Sequence, residues 1–238
     1  VGGELLDATE LPDPVGMPPT RSLDDSRDGC FLPVESGVRG VALTGDERDA
    51  DDVHSWLQDV FGTHAAPLAY ESGLLVATAG AGEVYTFGPY GDGNWRTDLD
   101  DFVTVPPVVG AQRVYVGTHE QVVALKRLDG GVAWRIPRPS TVPLALDDGR
   151  LYTVHGDTLV ARSPRSGGKL WETGLDDNAS TAPAVGGDAV YLGTRGGEIR
   201  ALGAESGEKR WTVSVGDQLG PTLALTSDRL YAVAENRG

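Results

Sequence analysis

The chain has 238 residues, of which 35 are acidic and 20 are basic, so its formal net charge is −15. An acidic chain without clusters of lysine and arginine cannot track a phosphate backbone, which excludes nucleic acid as a class of partner. No apolar run reaches the roughly 20 residues that a membrane-spanning helix needs, so the sequence predicts no transmembrane segment. The 33 glycines and 15 prolines fit a protein made of short strands and tight turns.

The basic residues are mostly arginines, because the chain has only three lysines, Lys126, Lys169 and Lys209. A surface that favours aspartate and arginine over lysine is typical of proteins that stay soluble in molar salt, where charges are strongly screened. The composition therefore favours a salt-adapted source. An ordinary acidic protein from a mesophile is the alternative, since acidity alone argues only for solubility.

The first 36 residues contain five prolines and little hydrophobic periodicity, which predicts an irregular arm over residues 1–36. From residue 37 the pattern changes. The run GVRGVAL predicts a strand, and after an acidic insertion the run HSWLQDVF predicts a second strand that carries Trp56.

The rest of the chain repeats one pattern of about 40 residues. A proline opens a short apolar run, a polar turn follows, then a Val-Tyr or Leu-Tyr strand, a third strand, another polar turn and a tryptophan. The units span about residues 64–95, 104–134, 140–171 and 180–211, and a partial unit covers 218–238. Their tryptophans, Trp95, Trp134, Trp171 and Trp211, are spaced 39, 37 and 40 residues apart, and Trp56 lies 39 residues before Trp95.

A period near 40 built from strands predicts four-stranded sheets arranged radially. The units resemble the pyrroloquinoline-quinone-like (PQQ-like) repeat of β-propellers. The residues that carry the resemblance are Ala182-Pro183-Ala184-Val185, Val190-Tyr191-Leu192-Gly193-Thr194, Gly197, Ala201-Leu202, Ser206-Gly207 and Trp211. The resemblance covers about residues 64–238 and implies an all-β propeller of four-stranded antiparallel blades. The family with this repeat includes quinoprotein alcohol dehydrogenases, an outer-membrane assembly lipoprotein and sensor domains, so the resemblance implies a fold more than an activity.

The propeller domain is predicted over residues 37–238, with at least five blades. The two predicted strands over 37–56 are the ones that the partial unit at 218–238 lacks, so the two chain ends are predicted to share one blade, which would remove the open sheet edges. Two alternatives are that the chain is part of a larger propeller, and that the first 36 residues add further strands.

The innermost strands of a propeller line its channel, so polar residues just before the repeated proline are candidate ligand contacts. Three residues before each proline stand His64, Thr104, Ser140, Ser180 and Gln218. Neighbouring turns add Asp100, Asp101, Asp177, Asn178 and Asp217. Such a ring predicts a small polar ligand, a hydrated cation or the end of a partner peptide at one mouth. The alternative is a channel that is polar only because it is wet.

Trp56, Trp95, Trp134, Trp171 and Trp211 are predicted to dock between neighbouring blades, on the small residues of the next Gly-Thr turn. Burying an indole of about 200 Å² at roughly 25 cal/mol per Å² stabilises by at most about 5 kcal/mol. The resemblance offers an alternative role, because quinoproteins support their cofactor on an aromatic floor.

The catalytic signals are weak: the histidines are dispersed, Cys30 stands alone, and nucleophile-elbow and phosphate-loop motifs are missing. The sequence therefore predicts no catalytic residue, no metal site and no cofactor. It favours a non-catalytic binding or assembly platform for a protein or small polar ligand. The sequon Asn178-Ala179-Ser180 favours an extracytoplasmic or cell-surface location. The alternative is a PQQ-dependent dehydrogenase, or a fragment of one, that would need PQQ and calcium.

Overall fold

The structure, a computed structural model, describes residues 17, 20–22, 29–34, 37–42, 55–60, 65–88, 90–147, 149–216, 219–226 and 229–234. In this part of the chain the strands form antiparallel sheets that follow one another along the sequence, and the strands of every sheet are arranged in chain order. No helix within the described ranges is long and apolar enough to cross a membrane.

Five of the sheets have four strands and a sixth has two. Sheet I contains β1 (Thr20–Ser22), β2 (Gly29–Val34), β3 (Gly37–Ala42) and β4 (Ser55–Asp59), and sheet II contains β5 (Ala69–Glu71), β6 (Leu74–Thr78), β7 (Glu83–Phe87) and β8 (Gly93–Asp98). Sheet III contains β9 (Val103–Val109), β10 (Arg113–Thr118), β11 (Val122–Lys126) and β12 (Val132–Ile136), and sheet IV contains β13 (Ala145–Leu146), β14 (Leu151–His155), β15 (Thr158–Arg162) and β16 (Lys169–Gly174). Sheet V contains β17 (Ala184–Gly186), β18 (Ala189–Gly193), β19 (Glu198–Gly203) and β20 (Lys209–Ser214), and sheet VI contains β21 (Leu219–Leu225) and β22 (Leu230–Ala234).

The first strands of successive sheets lie side by side, because β1 contacts β5, β5 contacts β9, β13 contacts β17 and β17 contacts β21. These are the inner strands. The second and third strands of sheets II to V are almost entirely buried, whereas the fourth strands of sheets II and IV alternate between exposed and half-buried residues. This gradient is what a radial stack of blades requires, since only the outermost strand of each blade meets solvent.

The hydrophobic cores lie between sheets, where side chains from two facing strand surfaces interdigitate. Val76 of sheet II, for example, shares a core cluster with Val116 of sheet III. Equivalent clusters join sheets I and II, sheets III and IV, and sheets IV and V. Successive side chains of a strand point to opposite faces, and both faces of these strands are buried, which is why the strands are rich in valine and leucine.

The tryptophan of one sheet contacts the turn between the third and fourth strands of the next sheet. The indole N–H groups donate to turn carbonyls, Trp95 to Arg127 at 2.8 Å, Trp134 to Pro164 at 3.1 Å and Trp171 to Ala204 at 3.0 Å. Each of these turns places a glycine with positive φ against the indole, and those angles are 71° at Gly130, 73° at Gly167 and 71° at Gly207.

The sequence analysis predicted that these indoles dock on the Gly-Thr turn of the next sheet. That prediction is wrong, because they dock on the turn between its third and fourth strands. Gly117 and Gly193, the glycines of two such turns, are paired within the sheet ladder, so their backbones are already committed. An indole N–H needs a free carbonyl, and the polar turn offers one. The side chain of Trp56 lies outside the described residues, and Trp211 is 43% exposed.

The two chain ends also differ from the prediction. Strands β1 and β2 lie in the segment predicted as an irregular arm, so that prediction is wrong for its described residues, and the alternative of further strands is the one observed. Strands β3 and β4 take the third and fourth positions of sheet I, and β21 pairs with β22 in a separate sheet. The described strands of the two ends therefore do not share a blade, because β2 already occupies the edge of β3.

Candidate functional site

The predicted polar ring lies at the N-terminal end of the inner strands, where its described members occupy three different environments. Thr104 is exposed in β9, Ser140 is 4% exposed, and Ser180 is half-buried. His64 and Gln218 lie outside the described residues. A shared ligand at these positions stays a prediction.

Ser140 stabilises the chain as it enters sheet IV. Its hydroxyl donates to the carbonyl of Val142 at 2.8 Å and accepts from the N–H of Val154 at 3.1 Å. Thr181 has the same role in sheet V, where its hydroxyl accepts from the N–H of Gly193 at 2.8 Å. Ser180 differs, because its hydroxyl is buried and has no hydrogen-bond partner in the described part of the chain.

Two of the predicted carboxylates tie neighbouring loops together. Asp101 accepts hydrogen bonds from the hydroxyl of Thr118 and the N–H of Glu120. Asp177 accepts from the N–H of Gly196 at 2.6 Å, and this bond is the main reason that the pKa of its carboxyl is held below the usual range. Both carboxylates are therefore used to hold the loop before an inner strand against a turn of the same sheet.

His155 lies in a buried polar network between the loop before sheet IV and its second strand. Its Nδ1 contacts the carbonyl of Pro139, and its Nε2 lies 3.3 Å from the hydroxyl of Thr153, which itself accepts from Nε of Arg162. The bonds fit a neutral ring with its proton on Nδ1. Burial lowers the pKa of His155 below its usual value, the Pro139 carbonyl opposes that shift, and the charges of Arg138 and Arg162 add to the lowering.

We expect the free energy of unfolding to fall as the pH drops below about 6.5, the usual pKa of histidine in an unfolded chain. Because the folded pKa is lower, the unfolded state binds more protons in this window, and stability present above pH 6.5 is lost as the pH falls. One such group contributes a slope of at most about 1.4 kcal/mol per pH unit. Urea unfolding at pH 7.5 and at pH 5.5 measures the difference in the free energy of unfolding between the two pH values. His155→Gln should reduce the difference between the two pH values, whereas His119→Gln, at an exposed position, should leave it unchanged.

A large open cavity lies at the opposite, C-terminal end of the inner strands. It has a volume of about 890 Å³ and is lined by the turns between the first and second strands of sheets II, III and IV, together with Pro164 and Arg165 of sheet IV. We call it the inner-turn pocket. Its apolar wall includes Pro107, Val108 and Leu146. A cavity of this size is in the range of ligand-binding sites.

Arg127 holds two walls of the inner-turn pocket together. Its guanidinium donates to the carbonyl of Gly110 at 3.0 Å, and to the carbonyls of Glu71 and Ser72 at 2.9 and 2.7 Å. One side chain of sheet III thus fixes its own first turn and that of sheet II. Because all three acceptors are backbone groups, the walls are held in place without using a carboxylate to neutralise the arginine.

Charged side chains reach the same pocket. Arg113 and Arg165 line it, as do Glu71 and Asp147. Asp147 is engaged within its own turn, where it accepts from the N–H groups of Gly149 and Arg150 and from the hydroxyl of Tyr152. Glu71 accepts from the hydroxyl of Ser72 at 3.0 Å, so both carboxylates of the pocket have a hydrogen-bond donor beside them.

The pocket residues were not among those predicted from the sequence. The signal that could have found them is an arginine directly before the Val-Tyr or Leu-Tyr pair, present as Arg113, Arg150 and Arg229. A basic residue that recurs at one position of an acidic chain is a candidate for binding an anion. The sequence alone does not show that these arginines reach a pocket, because the pocket forms only where turns of three sheets meet.

Residues 44–162 and 118–238 match the protein family described as "Outer membrane protein assembly factor BamB". Together the two matches cover most of the chain. The chain belongs to this family. Membership agrees with the PQQ-like repeat and with the succession of four-stranded sheets, which is the propeller architecture.

Several known proteins are similar to this BamB-family chain. The serine/threonine-protein kinase AfsK of Streptomyces coelicolor is 33% identical over 126 residues, which is 53% of the chain and 15% of the kinase. The outer membrane protein assembly factors BamB of Burkholderia pseudomallei and Legionella pneumophila are 25% and 27% identical, over 74% and 62% of the chain and over 51% and 39% of their own length. The chain therefore spans about half or less of these relatives.

A crystal structure of BamB from Moraxella catarrhalis superposes with a TM-score of 0.54 over 90% of the chain and 79% of that protein. At 18% identity this likeness bears on the fold alone. None of these relatives or structures supports the salt-adapted source that the composition favoured.

The PQQ and calcium alternative requires a cluster of oxygen ligands. In the ranges that the structure describes, no group of three or more His, Cys, Asp and Glu side chains is placed to hold a metal ion.

Proposed function

We propose that this BamB-family chain is a non-catalytic platform that binds a polypeptide segment of another protein outside the cytoplasm. Its family is described as an assembly factor for outer membrane proteins, and two of its relatives carry that name. An assembly factor acts by holding another chain, which requires a fixed recognition surface rather than a reactive group. The same names, which refer to outer membrane proteins, support the proposed location outside the cytoplasm.

The observation that carries the proposal is the inner-turn pocket. Three turns from consecutive sheets converge around about 890 Å³ of open space, and Arg127 fixes two of them through three hydrogen bonds. Rigid walls reduce the entropy that binding has to overcome. Apolar and charged side chains on the same wall suit a peptide, whose side chains and termini need both.

Photocrosslinking tests where a polypeptide binds. A benzophenone amino acid is placed at Gln112, an exposed residue that lines the inner-turn pocket, or at Arg195, an exposed residue at the N-terminal end of the inner strands. Each variant is mixed with an unfolded outer-membrane β-barrel protein and irradiated. We expect a crosslinked product from position 112 and little from position 195, since the two positions lie at opposite ends of the sheets.

Crosslinking only from position 195 would place the binding surface at the predicted polar ring and contradict the pocket. Crosslinking from neither position would contradict the platform itself. Folded barrel protein, added in place of the unfolded chain, is the matched control for nonspecific capture, and it should give no product at position 112.

A further inference from the structure

The repeat allows equivalent positions of neighbouring sheets to be compared directly. The carbonyls of Pro164 and Ala204 are equivalent, because each accepts the indole N–H of the preceding sheet's tryptophan. Each also accepts a hydrogen bond from the hydroxyl of an equivalent tyrosine, Tyr115 or Tyr152. The residues that directly follow these carbonyls therefore occupy the same place in sheets IV and V.

Those following residues have opposite charges. In sheet V the residue is Glu205, and it pairs with Arg150 of sheet IV, with 3.9 Å between Nη2 and Oε1. In sheet IV the residue is Arg165, and the position equivalent to Arg150 is Arg113 of sheet III. Where one pair of sheets has an arginine and a carboxylate, the neighbouring pair has two arginines.

The two arginines are unpaired in the described part of the chain. Neither guanidinium makes a hydrogen bond there, and neither forms an ion pair with a carboxylate. Nε is buried without a partner in both Arg113 and Arg150, which is costly for a charged donor. The two positions differ in that Arg150 has the carboxylate of Glu205 beside its guanidinium and Arg113 has none.

Glu71 and Asp147 line the same pocket, but Glu71 accepts from the hydroxyl of Ser72 and Asp147 accepts from its own turn. Arg113 and Arg165 are thus left as cations without a carboxylate partner in the described ranges, which favours binding of an anion.

We propose that the inner-turn pocket binds the C-terminal carboxylate of a polypeptide partner between Arg113 and Arg165. The last side chain of that polypeptide lies on the apolar wall formed by Pro107, Val108 and Leu146. Arginine suits this contact because its planar donors match the two oxygens of a carboxylate. The proposal rests on the platform function and names the group that the platform recognises.

The test compares two probes that differ in one group. Acetyl-Ala-Val-Leu with a free carboxylate and the same peptide as its C-terminal amide are titrated by calorimetry. We expect the acid to bind at least about tenfold more tightly than the amide, the effect of losing charge-assisted hydrogen bonds. Acetyl-leucine, tested in parallel, should bind more weakly than the tripeptide acid, which distinguishes a polypeptide end from a small organic acid.

Substitutions locate the site. Arg113→Leu and Arg165→Leu should each weaken binding of the acid at least about tenfold and leave the weak binding of the amide unchanged. Arg150→Leu is the matched control at the equivalent position of sheet IV, and it should change affinity less than about twofold, since Arg150 does not line the pocket. Arg113→Leu should also melt no lower than the native chain, because it removes a buried donor that has no partner.

Equal affinity for acid and amide, or no binding of the acid to the native chain, would overturn the proposal. Equal loss from Arg113→Leu and Arg150→Leu would overturn it as well. If the acid and the amide bind equally while position 112 still crosslinks an unfolded polypeptide, the platform function stands and only the carboxylate contact fails. Tighter binding of acetyl-leucine than of the tripeptide would identify a small acid as the ligand and contradict a polypeptide end.

Discussion

Trp171→Ala should lower the free energy of unfolding by about 3 kcal/mol. The indole packs in the core cluster between sheets IV and V and lies 5.9 Å from the ring of Tyr152. Its N–H donates to the carbonyl of Ala204 at 3.0 Å, so truncation also leaves a carbonyl short of one partner. Denaturant unfolding followed by circular dichroism measures the change.

Trp211→Ala is the matched control for that substitution. Trp211 has the same position in sheet V and a similar aromatic neighbour, since its ring lies 5.8 Å from that of Tyr191. Its side chain is 43% exposed, and no turn of a following sheet covers it among the described residues. We expect a loss of about 1 kcal/mol or less. Equal losses from the two substitutions would contradict the view that docking on the next sheet stabilises the fold.

Gly207→Ala should destabilise the protein by about 3 kcal/mol, through two separate effects. The backbone at Gly207 has a φ of 71°, which costs an alanine about 1 kcal/mol. A Cβ at this position would lie 2.5 Å from Cε3 of Trp171 and 2.7 Å from the hydroxyl oxygen of Thr173. The ring of Trp171 is packed against the core cluster and bonded to the carbonyl of Ala204, so the added methyl group forces either the indole or the Thr173 side chain to move.

Gly187→Ala separates the two effects. Gly187 also has a positive φ, 62°, but a Cβ there would meet nothing within 4 Å. We expect only the backbone cost of about 1 kcal/mol. The difference between the free energies of unfolding of the two variants then measures the cost of the contact with the indole. A difference of zero would show that the indole moves aside without cost.

Exposed apolar side chains on sheets V and VI follow from the same docking rule. Trp211, Val213, Tyr231 and Val233 are 43%, 48%, 51% and 70% exposed. In sheets II to IV the equivalent tryptophan is covered by a four-stranded neighbour, whereas the described part of sheet VI has two strands. The exposure is thus a property of position in the series rather than of the local sequence.

The sequence predicted the repeated elements well because their signals are local. A proline before an apolar run, a polar turn with glycine and a terminal tryptophan recur at a period near 40, and each of these features acts within one sheet. Strands β5 to β20 follow that order in four sheets. The prediction of an irregular N-terminal arm was wrong for β1 and β2, because β1 is three polar residues long and β2 contains Pro33, which argues against a strand.

The sequence by itself determined the propeller architecture, since a 40-residue repeat of short apolar strands and polar turns leaves few other ways to cover both faces of each sheet. Only the tertiary structure decided which turn receives each indole, which hydroxyls and carboxylates are already used within the loops, and where a pocket forms. These depend on contacts between sheets. Arg113 and Arg165 are 52 positions apart in the sequence and line one cavity because three turns converge there. No local pattern carries that information, because the ion pairs between neighbouring sheets join residues that are far apart in the sequence.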